Sequence, residues 1–322
     1  MHIDHTMALD QHSIDRDAIT STDEFMSSPD DFEVVQKIGR GRRAEVFHAV
    51  RMSDRRVFAI KIFKPPNDQR ARNEMEILQE LRGCPNIVSL ITAVEDQQGG
   101  RISLVFELVQ SMDYHSVFPK LKPGEIRHYF RQLIAALSYA HDKAIMHRNV
   151  RPLNIIIDPV KKQLKLSGWG SSTRFAPGTT YEVTVGTAFK APELLLSFGE
   201  YDQSIDMWGV GDMLASVVFK KDPFFHGIGI LDQLDRIAQV LGTGGLLNWV
   251  EKYDMEAMDV EEVAVHERRR WSSLVNEENR DRADHDALSL LDGILRWDHE
   301  DRLTAQAALM HPFFSSSSSE EG

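Results

Sequence analysis

The sequence predicts an α+β protein of two unequal parts: a five-stranded antiparallel sheet with one helix, followed by a mainly helical remainder. Three observations carry this. Residues 32–107 break into short alternating or apolar runs punctuated by Gly, Pro and Asp turns, with a single helical period among them. Beyond residue 122, apolar positions recur at spacings of three and four over several long stretches. The 322 residues are 42% hydrophobic, which supplies a core for one large two-lobed domain or two ordinary ones.

Residues 1–30 carry seven acids, one Arg and few large apolar residues, the composition of a flexible tail. An ordered strap is the alternative, with Phe25 and Met26 as anchors; otherwise order is expected from about Asp31. FEVVQKIG, AEVFHAVR and VFAIKIF follow as three strands, separated by a Gly turn and a DRR turn. PPNDQ is a break. RARNEMEILQELRG reads as a helix with Ile77, Leu78 and Leu81 on one side, stopped by Gly83. NIVSLITAVEDQQGGRISLVFELV reads as a hairpin with a Gly-Gly turn, which completes the five strands. These elements place the first lobe at 31–110 and the second at 111–314.

KPGEIRHYFRQLIAALSYAHDKA is a long amphipathic helix with Ile126, Phe130, Leu133, Ile134 and Leu137 on its apolar face. Two strand pieces, NIIID and QLKLS, come next. QSIDMWGVGDMLASVVF is apolar all round, hence buried, and further helices are expected at about 231–241, 245–253, 285–296 and 304–310. Residues 315–322, ending SSSSSEEG, are low-complexity and expected to be disordered.

Composition excludes several classes. No run of about 18 apolar residues marks a membrane span. The acidic N-terminus lacks the pattern of a secretory signal or a mitochondrial presequence, so cytoplasm or nucleus is expected. A single cysteine, Cys84, rules out an internal disulfide or a thiolate cluster, and the thirteen histidines show no metal spacing. A net charge of −12 disfavours a nucleic-acid groove. ERRR at 267–270 is the densest basic run and reads most simply as a solvated or salt-bridged face.

Chemistry concentrates in an ordered series. Gly39 and Gly41 form a glycine turn between two predicted strands, whereas a dinucleotide fingerprint would open a helix. Lys61 lies fifteen residues past Val46, and Glu74 thirteen further on the helix. A strand Lys and a helix Glu are common surface features by themselves. Here they are followed by HRN at 147–149, Asn154, GWG at 168–170, APE at 191–193, DMWGVG at 206–211 and DHEDR at 298–302. Independent local motifs that agree in order with the predicted elements are strong grounds for one fold.

In order and spacing this series resembles the protein kinase domain over about residues 31–314, and within it the casein kinase 2 catalytic alpha subunit family. IGRGRRAEVF is similar to that family's basic glycine loop, and Trp169 is its signature. DMWGVGDMLASVVFKKDPFFHG, YDMEAMD, RRRWSSL and LLDGILRWDHEDRLTAQAALMHPFF follow its second lobe. The resemblance implies a bilobal kinase fold with an ATP site. Gly39 and Gly41 would cover the phosphates, Lys61 would bind them, and Glu74 would orient Lys61. Val46, Ala59 and Ile156 would line the pocket. Phe106 would be the gatekeeper, with Glu107 and Val109 giving hinge backbone contacts. Asn154 would hold a metal. His147 and Arg148 would scaffold the catalytic loop, Asp206 would accept from its backbone, and Glu193 with Arg302 would form a buried pair.

The departures from that family fall on catalysis. Asn149 stands where the family has an Asp that accepts the substrate hydroxyl proton, and an amide has no useful basicity near neutral pH. Loss of a general base costs about 10²–10⁴ in rate. Gly168 stands where a second Asp holds Mg²⁺, and Asn154 alone is a weak neutral ligand. Losing the metal removes much of the charge stabilisation of phosphoryl transfer. Arg151 replaces a Lys, keeping charge but not shape, and Ala44 replaces a third loop Gly. Asp158, four residues beyond Asn154, falls past the catalytic loop and Asp142 precedes it, so neither stands as a base, while Glu45 in the glycine loop could in principle approach a metal. On the substrate side, KPPNDQRARNEME is only modestly basic, and Lys190 is the one cation in TVGTAFKAPE, so attraction for acidic peptides is expected to be weak.

The leading expectation is a pseudokinase that works by binding. It would pair with the casein kinase 2 regulatory beta subunit through the outer face of the first lobe's sheet, or compete for substrates of the active enzyme. ATP would bind with weak or absent Mg²⁺. The alternative is an active Ser/Thr kinase with a non-standard site, and a third reading is a folded relic. Thr179, Thr180 and Tyr181 are candidate phosphosites, as are Ser27, Ser28 and Ser319 beside acids. No nucleic-acid or membrane partner is expected.

Overall fold

The computed structural model describes residues 25–66, 68–96, 100–183, 188–255 and 260–315. The expectations for residues 1–24, Asn67, the tip of the Gly-Gly turn, residues 184–187 and 256–259, and Ser319 lie outside these. No helix among the described residues is long and apolar enough to cross a membrane.

The first lobe holds β1 (Met26–Ser27), β2 (Phe32–Arg40), β3 (Ala44–Arg51), β4 (Val57–Phe63), α1 (Asp68–Glu80), β5 (Leu90–Glu95) and β6 (Ile102–Glu107). Their sheet order is β1-β5-β6-β4-β3-β2. The five expected strands are present and antiparallel; the correction is a sixth, β1, which runs parallel to β5 with Met26 opposite Ala93. It is fastened by Ser27 Oγ to Thr92 Oγ1 at 3.0 Å and by Thr92 Oγ1 donating to the Phe25 carbonyl at 2.6 Å. Phe25 and Met26 pack against the main core as strap anchors. A two-residue strand has no period to detect, so acidic surroundings dominated the sequence signal. In α1, Ala71, Met75, Ile77 and Leu78 are buried, and Gly83 takes φ +98° just beyond the helix.

The second lobe holds α2 (Tyr114–Val117), α3 (Pro123–Asp142), β7 (Ile145–Met146), β8 (Ile155–Asp158), β9 (Gln163–Leu166), β10 (Thr173–Arg174), α4 (Pro192–Leu195), α5 (Ser204–Val218), α6 (Ile230–Leu241), α7 (Thr243–Lys252), α8 (His285–Ile294) and α9 (Ala305–Leu309). In α3, the predicted apolar face is the buried one: Ile126, Phe130, Leu133, Ile134 and Leu137 are at most 2% exposed. Glu125 caps its start by accepting from the Lys122 amide at 2.9 Å. In α5, every residue from Ile205 to Val218 is buried, as its all-round apolar sequence requires. Helices α6 to α9 match the expected spans to within two or three residues.

The lobes meet at the β8–β9 hairpin. The Val88 amide donates to the Leu166 carbonyl at 3.1 Å, and the Leu166 amide to the Asn86 carbonyl at 2.8 Å. One continuous core runs through both lobes, and a second, small cluster of Ala49, Phe58, Ile60, Val94 and Val105 lies on the other face of the sheet. The hairpin carries Asn154 and Gly168 on its two flanks, so this junction sets the position of the site.

Candidate functional site

Lys61 lies mid-β4 and Glu74 mid-α1. The Lys61 ammonium donates to both carboxylate oxygens of Glu74, at 2.7 and 2.6 Å, and Glu74 is buried. Val46 is the cross-strand partner of Lys61, and Phe106 that of Ala59. Side chains alternate along a strand, so Val46, Ala59, Lys61 and Phe106 share one face of the sheet. Ile156 is opposite Lys165 in the β8–β9 hairpin, and the Lys165 ammonium reaches Glu107 Oε1 at 2.7 Å. Ile156 therefore sits beneath the hinge that Glu107 begins. Burial raises the Glu107 pKa, but Lys165 and the Ser89 amide outweigh it and hold the carboxyl below its usual range. Its side chain is thus spent on structure. Val109 lies just past the end of β6, outside the strand ladder.

The loop after β7 is held from below by Asp206, at the start of α5. Its carboxylate accepts from the His147 amide at 2.8 Å, the Arg148 amide at 2.7 Å and His141 Nε2 at 3.0 Å. Burial opposes ionisation, but the contacts with His141 and His147 outweigh it and keep the Asp206 pKa lowered. His147 is fully buried, and burial lowers its pKa, so the ring is neutral near pH 7. Nε2–H donates to the Ser167 carbonyl at 2.9 Å, which leaves Nδ1 to accept the Asn149 amide at 3.2 Å. The ring packs edge-on against Trp169 at 4.6 Å, and the Trp169 indole donates to the Leu166 carbonyl at 3.1 Å. Arg148 donates from Nε to the Ser171 carbonyl at 2.7 Å and from Nη1 to the Tyr201 hydroxyl at 2.8 Å. These contacts bring His147, Arg148, Trp169 and Asp206 together around the loop.

The two departures also come together. Asn154 Nδ2 donates to the Asn149 carbonyl at 2.7 Å. Gly168 has φ +83°, and a Cβ built there would lie 2.4 Å from Asn154 Oδ1. The Asn154 amide thus fills the space a side chain at 168 would need. We expect Gly168→Ala to cost about 1–3 kcal/mol, from left-handed strain and displacement of the Asn154 amide. Chemical denaturation of wild type and variant measures it, and an unchanged midpoint contradicts this packing.

The alternative acids are committed elsewhere. Asp158 is buried, and its Oδ1 accepts from the Val160 and Lys161 amides at 3.1 and 3.0 Å. Glu45 is paired with Lys37 at 2.8 Å and lies near Lys64 at 3.6 Å. Magnesium therefore does not fit this donor set: position 168 has no carboxylate, Asn149 is neutral, and Asn154, whose Nδ2 is spent on the Asn149 carbonyl, offers one neutral carbonyl oxygen. Among the described residues no group of three or more His, Cys, Asp or Glu stands ready to hold a metal ion.

Cations dominate the opening instead. Burial lowers the Arg151 pKa, and Arg42 and Arg43 of the glycine turn lower it further, so the three guanidiniums face one field. Burial, with Arg148 and Arg151 nearby, brings the Lys190 pKa down to about 8, and its ammonium donates to the Arg148 carbonyl at 3.4 Å. Arg70 donates to Ser171 Oγ, and Arg72 reaches Glu95 at 3.5 Å. Tyr181 is tied down through its hydroxyl, which accepts from the Ala176 amide at 2.6 Å, while Thr179 and Thr180 are exposed.

Sequence reading did not single out Lys165 or Arg70. A lone Lys inside the apolar run QLKL was the one available signal, since a buried ammonium needs a partner. Nothing in the sequence marked Arg70 as reaching Ser171, because that contact spans both lobes.

A family model described as "Protein kinase domain" matches residues 32–314. The chain belongs to the protein kinase domain family.

Proposed function

We propose that this protein is a casein kinase 2 alpha-like pseudokinase, a regulatory scaffold that binds nucleotide and protein partners with little or no phosphoryl transfer. The observation that carries the reading is the mutual packing of Gly168 and Asn154 beside Asn149. The space for a metal-holding carboxylate is filled, and the position of the base is neutral. The preformed Lys61–Glu74 pair and the apolar face made by Val46, Ala59 and Phe106 support retention of an ATP site.

Within that site, adenine would lie between the Val46 and Ala59 side and Ile156, with Glu107 and Val109 backbone along its edge. Lys61 would meet the phosphates beneath Gly39 and Gly41. Arg42, Arg43 and Arg151 offset part of the triphosphate charge that a metal would otherwise neutralise. Calorimetry with ATP, with and without Mg²⁺, tests this. We expect binding whose affinity changes less than about threefold on adding Mg²⁺, a difference under about 1 kcal/mol. Absence of binding, or binding only with Mg²⁺, contradicts it.

Partner binding is assigned to the outer face of the first lobe's sheet, where Val34 and Ile62 are exposed beside the small cluster of Phe58 and Ile60. A casein kinase 2 regulatory beta subunit, or substrates of the active enzyme, are the partners this surface suggests, in cytoplasm or nucleus.

A further inference from the structure

The basic run at 267–270 is more than a solvated face. Arg268, Arg269, Arg270, Trp271, Asp292 and Arg296 line a hollow of about 380 Å³ in the second lobe, remote in sequence from every residue of the nucleotide site. Its floor is fastened on both sides. The Arg269 amide donates to the Val240 carbonyl at 2.9 Å, and the Thr243 amide to the His266 carbonyl at 3.0 Å. Gly242, at φ +81°, permits this close approach: a Cβ there would stand 2.8 Å from the Arg268 nitrogen. On the other side Trp271 is buried, stacked on Phe219 at 5.9 Å, and donates its indole N–H to Asp292 Oδ1 at 3.1 Å.

The charges in the hollow do not balance. Asp292 is its one carboxylate. Oδ1 accepts from Arg268 Nη2 at 2.6 Å and Oδ2 from Arg296 Nη2 at 2.8 Å. Both oxygens are therefore spent on Arg268 and Arg296. Arg269 and Arg270 make no ion pair among the described residues. Four guanidiniums against one carboxylate leave an island of three positive charges on a chain whose net charge is −12. Arg268, Arg269 and Arg270 are exposed, so an anion arriving from solvent can reach them.

We infer that this hollow is a binding site for a phosphate monoester. A dianion suits the excess of positive charge better than a single carboxylate does. Guanidinium forks engage phosphate oxygens two at a time, which a flexible ammonium cannot. The volume is near the lower bound of about 300 Å³ for ligand pockets, which suits a phosphate-bearing group and not an extended chain. The anchored floor reduces the ordering cost of binding. The group could be carried by a phosphoserine peptide or by a soluble polyphosphate, and the two share this chemistry.

The test uses the full chain and fluorescence anisotropy. A labelled phosphoserine peptide is compared with its unphosphorylated twin, a soluble inositol polyphosphate serves as competitor, and a short DNA duplex is the counter-probe. The variant is Arg269→Gln with Arg270→Gln, which leaves the Asp292 network intact, and its melting temperature is recorded to confirm folding. We expect phosphate-dependent binding that falls about tenfold or more in the variant, the effect of losing at least one of two charge-assisted contacts. Binding of the phosphopeptide identifies a protein source. Binding of the inositol polyphosphate alone, lost in the variant, supports the site with a free source. The inference is overturned by equal binding of both peptides with no polyphosphate binding, by phosphate binding that the variant leaves unchanged, or by duplex DNA binding as tightly as the phosphate probes.

Discussion

Replacing Arg302 with Leu is expected to destabilise the protein by about 3–5 kcal/mol, the usual result of stripping one member from a buried ion pair. Arg302 and Glu193 both have side chains with no exposure. Arg302 Nη2 donates to Glu193 Oε2 at 2.8 Å and to the Trp297 carbonyl at 3.0 Å, and Nε donates to the Arg296 carbonyl at 2.9 Å. Its guanidinium also lies over the Trp208 ring at 5.0 Å. Arg302→Leu leaves the Glu193 carboxylate buried without its counter-charge, and leaves two carbonyls without donors. The double variant Glu193→Leu with Arg302→Leu should recover more than half of the loss, because removing both charges removes the desolvation penalty as well. Urea denaturation of the three proteins measures this. A single variant within about 1 kcal/mol of wild type contradicts the assigned role. The pair joins α4 to the segment that leads into α9, so its loss should also free the region facing the cleft.

Replacing Asp212 with Asn is expected to act in the opposite direction. Asp212 is fully buried in α5; its Oδ1 accepts from the Phe225 amide at 3.3 Å, and its Oδ2 has no partner. The Tyr114 hydroxyl is also buried without a partner. Facing Asp212 are Asp222, itself 3.0 Å from His115, together with Lys221 and Tyr114. Burial is the main cause that pushes the Asp212 pKa up from 3.8 to about 7, with Asp222 adding to it. A carboxyl whose folded pKa exceeds its unfolded value binds its proton more tightly when folded, so stability falls as pH rises. The fall begins near the unfolded pKa of 3.8 and levels off above about 7. A shift of about three units corresponds to about 4 kcal/mol. An Asn retains some cost of burying a polar amide, about 1–2 kcal/mol. Asp212→Asn should therefore stabilise the protein by about 2–3 kcal/mol at pH 8, and the difference should disappear or reverse near pH 4. Urea midpoints for both proteins across that range measure it. Parallel pH profiles contradict the buried carboxylate.

Much of this molecule could be read from its sequence because its motifs coincide with strong local signals. The three strands of the glycine turn, the helix of Glu74 and the apolar face of α3 each follow from residue period and punctuation. The grouping of Lys61 with Glu74, of His147 with Asp206 and of Glu193 with Arg302 was legible through the resemblance to the kinase domain, whose motifs carry these residues in order. What was not legible depends on contacts between distant segments. Strand β1 exists only because β5 offers an open edge. The Lys165–Glu107 and Arg70–Ser171 contacts form only once the lobes meet. Asp212 was hidden within an apolar helix, where its neighbours supplied all the signal and its own carboxyl none. The filling of position 168 by Asn154 required backbone geometry, since sequence shows that a carboxylate is missing but not what occupies its place.

The most direct measurement is transfer of a labelled γ-phosphate from ATP to a mixed peptide pool, with Mg²⁺ and separately Mn²⁺, for wild type and Lys61→Ala. A pseudokinase predicts label incorporation at the level of the enzyme-free blank in both proteins. Transfer by wild type that disappears in Lys61→Ala would contradict the proposed function and show that this cleft supplies a base and a metal site of another kind.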